Sequence, residues 1–343
     1  MADSPRVNLP FLTSDLPGIG GVLRTTDEDF IVDEELPYAA SGTGDHVFVH
    51  LEKRGMTTPQ AVQAVARALR IRGRDIGVAG MKDRHAVTRQ WVSLPPPTTP
   101  DAALALVLEG ITVIAAVRHN HKLRTGHVRA NRFILRVRDC VPDAATRARA
   151  IFERLSRAPG APNWYGEQRF GRSGDNAERG RALLTGERGS DRKMDRFLVS
   201  ALQSELFNAW LVARMADGLY ARVLAGDVLH KVGGGMFTCE DPSVDEARLV
   251  AGELVVTGPM FGVEMRQAAG PAGEREDAIL AAAGLARDSF AKVARIAEGT
   301  RRDATISVGD PSVRTSDTGI EVAFALPAGA YATAVMRELM KNE

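Results

Sequence analysis

The chain has 343 residues, of which 44% are hydrophobic and 25% charged, with a net charge of +1; this is the balance of a globular enzyme with room for two domains. Its two cysteines, Cys140 and Cys239, lie far apart without CxxC spacing, which excludes a disulfide scaffold and a cysteine-rich zinc site. No charged-then-apolar leader and no run of about 18 apolar residues occurs, so a soluble, cytoplasmic protein with no membrane attachment is expected.

In chain order, residues 29–35 alternate like a strand, and 46–51 form a second β-rich run. Thr58-Pro59 reads as an N-cap followed by proline at the first helical position, and Val62, Val65, Ala66 and Leu69 give that helix one apolar face. Strands are expected at 76–79 and 88–94, with the polar turn Gly80-Met81-Lys82-Asp83-Arg84-His85 between them. In the strand at 131–138, Phe133, Leu135 and Val137 face one way and Ile134, Arg136 and Arg138 the other. A helix at 144–157 precedes Pro159-Gly160-Ala161-Pro162, which marks a domain boundary. Helices are then expected at 191–215, 245–251, 274–285 and 289–298, β segments at 304–308 and 320–326, and a last helix after Pro327. Strands at both chain ends with helices between them describe a discontinuous sheet domain carrying an insertion.

Charge is unevenly spread. Residues 118–139 hold Arg118, Lys122, Arg124, Arg129, Arg132, Arg136 and Arg138 against one acid, while 15–35 is acidic. Such a strip serves either as a solvated face or as an RNA footprint.

Four local features bear on chemistry. In the turn around Asp83, Lys82 and Arg84 flank a carboxylate, an arrangement that favours its ionised form and suits a nucleophile or base. A surface turn with local hydrogen bonds is the plainer reading of the same string. The segment Asn163-Trp164-Tyr165-Gly166-Glu167-Gln168-Arg169-Phe170-Gly171 interleaves aromatics, an amide and an arginine; it suits base stacking and equally suits a loop plugging a core. His119, His121 and His127 lack Cys or HExxH partners, so a basic loop meeting phosphates fits better than a metal site. Gly18-Ile19-Gly20-Gly21 reads as a turn.

Taken in order, Asp29-Phe30-Ile31-Val32-Asp33-Glu34, Ala79–Thr88 with its KDRHAVT string, Asn131-Arg132-Phe133, the YGEQRFG string, residues 200–208 and Leu326-Pro327-Ala328-Gly329-Ala330-Tyr331-Ala332-Thr333 resemble the TruD family of tRNA pseudouridine synthases across nearly the whole chain. The resemblance implies an α+β fold: a mixed, largely antiparallel pseudouridine-synthase sheet core with a helix-rich α/β insertion domain. It places a discontinuous catalytic domain at 1–160 plus 303–343 and the insertion at 161–302. It implies conversion of uridine 13 in the tRNA D-arm to pseudouridine by a monomer without metal or cofactor. On the matching positions Asp83 is the catalytic aspartate, and Phe30, Asn131, Phe133 and Tyr331 contact the substrate. Two departures stand out: Tyr331 replaces the commoner phenylalanine, and Ala130 the usual glycine before the asparagine. Lys82, Arg84 and Arg24 are candidates for charge support, and Lys122, Arg124 and Arg129 for the RNA backbone. The rival class is a non-catalytic RNA-binding protein on the same fold, which an intact Lys82-Asp83-Arg84 disfavours.

Overall fold

Alternating side chains between residues 16 and 153 build β1 (Gly20–Leu23), β2 (Phe30–Glu35), β3 (His46–Arg54), β4 (Gly77–Val78), β5 (Val87–Leu94), β6 (Ile111–His119) and β7 (Ala130–Cys140). The structure, a computed structural model, describes residues 8–171, 173–189 and 191–342. Helix α1 (Thr58–Leu69) follows β3 and lays Ala61, Val65 and Ala66 on Val47, Val49, Leu51, Val92 and Leu94. Its cap is Thr57, one residue earlier than expected: Thr57 accepts from the Gln60 N–H, and the Gln60 side chain accepts from the Thr57 N–H. Proline then sits second in the helix, where its missing N–H is still an unneeded donor. The shift leaves the buried Thr58 hydroxyl for another task. Two further helices, α2 (Pro100–Leu104) and α3 (Ala144–Leu155), complete this stretch.

Residues 154–307 carry β8 (Ala161–Pro162), α4 (Asn176–Thr185), α5 (Arg192–Ala216), β9 (Val228–Lys231), β10 (Met236–Thr238), α6 (Pro242–Val250), β11 (Leu254–Met260), α7 (Gly270–Ala282), β12 (Thr300–Asp303) and β13 (Thr305–Ile306). The long helix starts as its pattern indicates, with Asp191 accepting from the N–H groups of Lys193 and Met194. The antiparallel sheet β10-β9-β11-β12 was not expected. Its strands are three to seven residues long, too short for a clear period, and β11 contains Gly258-Pro259. The glycine has a packing reason: a Cβ on Gly258 would come within 2.5 Å of the Trp210 ring of α5. The helix expected at 289–298 is instead a 3-10 segment, Arg287–Val293. It begins just after Gly284, which ends α7 with a φ of +68°. Trp164, Tyr165, Phe207, Trp210 and Leu211 form the core of this unit. Two buried ion pairs brace it, Arg214–Asp227 at 2.7 Å and Arg301–Glu276 at 2.6 Å.

The chain then returns as β14 (Gly309–Ser316), β15 (Gly319–Pro327) and α8 (Ala332–Met340). The strands extend the first sheet to nine, in the order β14-β15-β7-β2-β5-β3-β6, with β1 on β7 and β4 on β5. Every pairing is antiparallel except β2 with β5. Two compact units result: residues 16–153, 308–332 and 339–342 form one, and residues 8–15, 154–307 and 333–338 the other. Among the described residues no helix is long and apolar enough to cross a membrane.

Gly20-Gly21 is a strand and not the turn its glycines suggest. Gly20 lies opposite Cys140 and Val22 opposite Arg138. Gly21 has a φ of +86°, and a Cβ there would meet the Arg138 carbonyl oxygen at 2.5 Å. Gly21→Ala should therefore destabilise this unit by roughly 1–3 kcal/mol, read as a fall of about 2–10 °C in its melting transition. An unchanged transition would show that β1 tolerates a side chain.

Candidate active site

The site is laid out by the register of β7, which runs between β2 and β15. Asn131 lies opposite Glu34 and Leu326, Phe133 opposite Val32 and Phe324, and Leu135 opposite Phe30 and Val322. Directly opposed residues share a face, so these side chains project together. The next strands extend the middle row, because Val32 pairs with Thr88 and Thr88 with Lys53. Phe133 meets Phe30 edge-on at 6.2 Å and stacks with Phe324 at 5.6 Å. Both expected substrate aromatics on this face are thus buried, Phe30 at 3% and Phe133 at 7% exposure.

Above this face runs the turn between β4 and β5. Three bonds pin it from below. The Lys82 N–H donates to the Thr58 hydroxyl at 2.9 Å, and that hydroxyl donates to Gln90 at 2.9 Å. The Lys82 ammonium pairs with the buried Glu34 carboxylate, whose other oxygen accepts from the Trp91 N–H at 3.1 Å. The Lys53 ammonium donates to the Asp83 carbonyl at 2.9 Å and to the Met56 carbonyl at 2.7 Å.

What these bonds leave outward is the Asp83 carboxylate, 55% exposed, with the Arg24 guanidinium 3.1 Å from it. Arg24 also lies over the Phe30 ring, its Cζ 3.9 Å from the centroid. It adopts a left-handed φ of 64°, unusual for a residue with a side chain. The charge arrangement differs from the one the flanking residues suggested. Lys82 turns down to Glu34, and Arg84 donates to the Gly55 carbonyl at 3.3 Å. The cation on Asp83 comes from 59 positions away.

Lys53 was not anticipated. It is fully buried, and burial pushes its ammonium down to about 8, opposed by the nearby Asp83 charge. The signal was present: Val47, Val49 and Leu51 alternate inward, and the next inward position holds a lysine.

Asn131 presents a buried Oδ1 that has no hydrogen-bond partner. Tyr331 is 42% exposed just beyond β15. The turn leading to it is tied to the start of β7 by the Ala328 N–H, 3.3 Å from the Arg129 carbonyl.

The basic strip is less free than its composition implies. Arg138 grips Asp29, Arg136 pairs with Glu321 and Arg129 with Glu35, while Lys122 donates to the Arg74 carbonyl; Arg124 is exposed. The acidic stretch 15–35 therefore supplies Asp29 and Glu35 as counter-ions to the strip. His119 and His121 approach at 3.1 Å and pack around Tyr38, with burial lowering the His119 pKa. Among the described residues no three His, Cys, Asp or Glu side chains converge on a metal position. Trp164 and Tyr165 are core residues of the other unit, and the Arg302 Cζ sits 4.1 Å from the Tyr165 ring, so those aromatic faces are used internally.

The fold matches the crystal structure of a Methanosarcina mazei protein assigned to tRNA pseudouridine synthase D (TruD), with a TM-score of 0.81, 22% identity, and coverage of 98% of this chain and 97% of that one. The mixed-sheet fold thus has a counterpart in a solved structure. Residues 6–190 and 188–339 match the family described as tRNA pseudouridine synthase D (TruD). A tRNA pseudouridine synthase D of Anaeromyxobacter dehalogenans is 51% identical over 98% of this chain and 97% of its own. A Thermus thermophilus protein of the same name is 42% identical over 97% and 92%. The chain belongs to the TruD family of tRNA pseudouridine synthases.

The Asp29–Arg138 grip just before Phe30 generates a pH prediction. Three contacts of 2.7–3.2 Å from Arg138, with the Thr26 N–H, hold the Asp29 carboxyl below its ordinary 3.8. A carboxylate whose folded pKa is depressed stabilises the fold above its unfolded value, and that contribution is lost as pH falls through the lower, folded one. Arg138→Met should lower stability at about pH 7, because it leaves the buried Asp29 carboxylate without its guanidinium partner. It should also show a smaller loss than the parent between about pH 5 and pH 3 in urea melts, because the linkage has been removed. Parallel curves for the two proteins would contradict this.

Proposed function

We propose that the chain converts uridine 13 in the D-arm of tRNA to pseudouridine, with Asp83 as its catalytic carboxylate, acting in the cytoplasm as a monomer that needs no metal or cofactor. The observation that carries this reading is the Arg24–Asp83 pair, held outward over Phe30 by a turn whose other polar groups are bound underneath. The reaction breaks the bond from ribose C1′ to uracil N1, turns the ring and joins C1′ to C5; the C5 hydrogen leaves to solvent and N1 regains a proton. An exposed, charge-paired carboxylate supplies what this requires, as a nucleophile toward the ribose or uracil or as a base for a ribose proton. The paired arrangement also disfavours the non-catalytic alternative, for which an exposed aspartate fixed at its backbone has no use.

The remaining side chains take complementary parts. The unpartnered Asn131 Oδ1 accepts from a uracil N–H, a contact that discriminates by leaving a buried acceptor unmet when the base is wrong. Phe30 and Phe133 form a rigid floor, and the exposed Tyr331 offers the stacking face. Extruding the base costs a few kcal/mol, and one stacking contact returns about 1–3 kcal/mol. Lys122, Arg124 and Arg129 contact the RNA backbone, with Arg129 exchanging Glu35 for a phosphate.

Two variants test the roles. Asp83→Asn should reduce pseudouridine formation, measured by nucleoside chromatography of digested tRNA, by at least about 10³-fold, or roughly 4 kcal/mol, with the fold intact. A rate within about tenfold of the parent would remove Asp83 from the chemistry. Tyr331→Ala should slow turnover roughly 5- to 150-fold, while Tyr331→Phe stays near the parent because the ring face is kept. A Phe variant as slow as Ala would show that the hydroxyl, and not stacking, is what matters.

A further inference from the structure

We infer that Lys53 is a positioning residue for the reaction, its ammonium setting the direction in which the Asp83 carboxylate points by holding the Asp83 backbone from the sheet face beneath the turn. The inference rests on the reading of Asp83 as the catalytic residue.

A lysine with no exposure is uncommon, because removing an ammonium from water carries a penalty of several kcal/mol unless its donors are used. An apolar side chain would fill this inward position of β3 as Val47, Val49 and Leu51 fill the ones before it. Lys53 instead spends two donors on carbonyls at either side of a gap: Met56, in the turn leaving β3, and Asp83, in the turn entering β5. These bonds fix the peptide on the C-terminal side of Asp83, as the Lys82 N–H to Thr58 bond fixes the turn on the other side. With both sides tied, the Asp83 side chain is turned outward, where it meets Arg24. Misplacement of a reacting group by about 1 Å is enough to slow a reaction by roughly 10²-fold.

The position also makes the tie sensitive to pH. The charged groups facing Lys53 are Asp83 and Asp27, which favour its ammonium, and Lys82, which opposes it. Burial outweighs them and brings the group to about 8. As pH rises through that value the lysine becomes neutral, and both carbonyl bonds lose their charge-assisted strength.

The test uses the full-length protein with tRNA transcript, comparing the parent, Lys53→Met and Asp83→Asn. Methionine fills the same volume and removes a buried charge, so the melting temperature should be held or raised. The expected result for Lys53→Met is a kcat at least about 30-fold lower with KM within about threefold. Its pH–rate profile should also lack the fall near pH 8 expected of the parent. If Lys53→Met turns over within about threefold of the parent while Asp83→Asn is inactive, the inference falls and the role of Asp83 stands. If Asp83→Asn is itself active, the reading beneath it falls. If Lys53→Met melts early, the parent profile decides: a rate that holds flat through about pH 9 overturns the proposal.

Discussion

The register of β7 against β2 and β15 is the constraint on which the site depends. In a strand the side-chain period is two, so a slip of one residue would turn Asn131, Phe133 and Leu135 away from Glu34, Val32 and Phe30. Pairing on both edges over most of its length makes such a slip costly. Because β5 lies parallel to β2, the turn that precedes β5 is delivered to the end of the sheet where β2 begins. That is why a carboxylate at position 83 and an aromatic at position 30 share one guanidinium.

Electrostatics decides which cations remain outward. Buried acids claim their partners first, because an unpaired charge in a dry site is far more costly than an exposed one. Glu34 takes Lys82 and Asp29 takes Arg138, and neither acid is accessible to solvent. Asp83 is left with Arg24, in a pair both of whose members reach solvent and whose net contribution to stability is small. A weakly stabilising pair over a rigid base suits a group that must exchange partners when substrate arrives.

Much of the first sheet was legible because its strands are long or alternate cleanly, as at 30–35 and 130–140, and because α1 and α5 announce themselves by caps and apolar faces. The turn around Asp83 was legible as a motif. Its partners were not: Arg24 joins through tertiary structure alone, and the flanking Lys82, adjacent in sequence, is drawn to a carboxylate 48 positions away. Composition overstated the free positive charge at 118–139, since it does not show that acids from 15–35 fold back onto it. The aromatics of 163–171 were ambiguous until burial separated core packing from stacking, and the four-stranded sheet of the second unit was hidden by short strands and a glycine-proline step.

The central claim, that this fold exchanges a carbon–nitrogen for a carbon–carbon bond on a tRNA uridine, is tested most directly by tritium release from tRNA labelled at uracil C5. Forming the new bond expels that hydrogen, so the protein should release one equivalent of tritium per tRNA, matched by pseudouridine at position 13 and nowhere else. Tight tRNA binding with no tritium released above background would contradict the account.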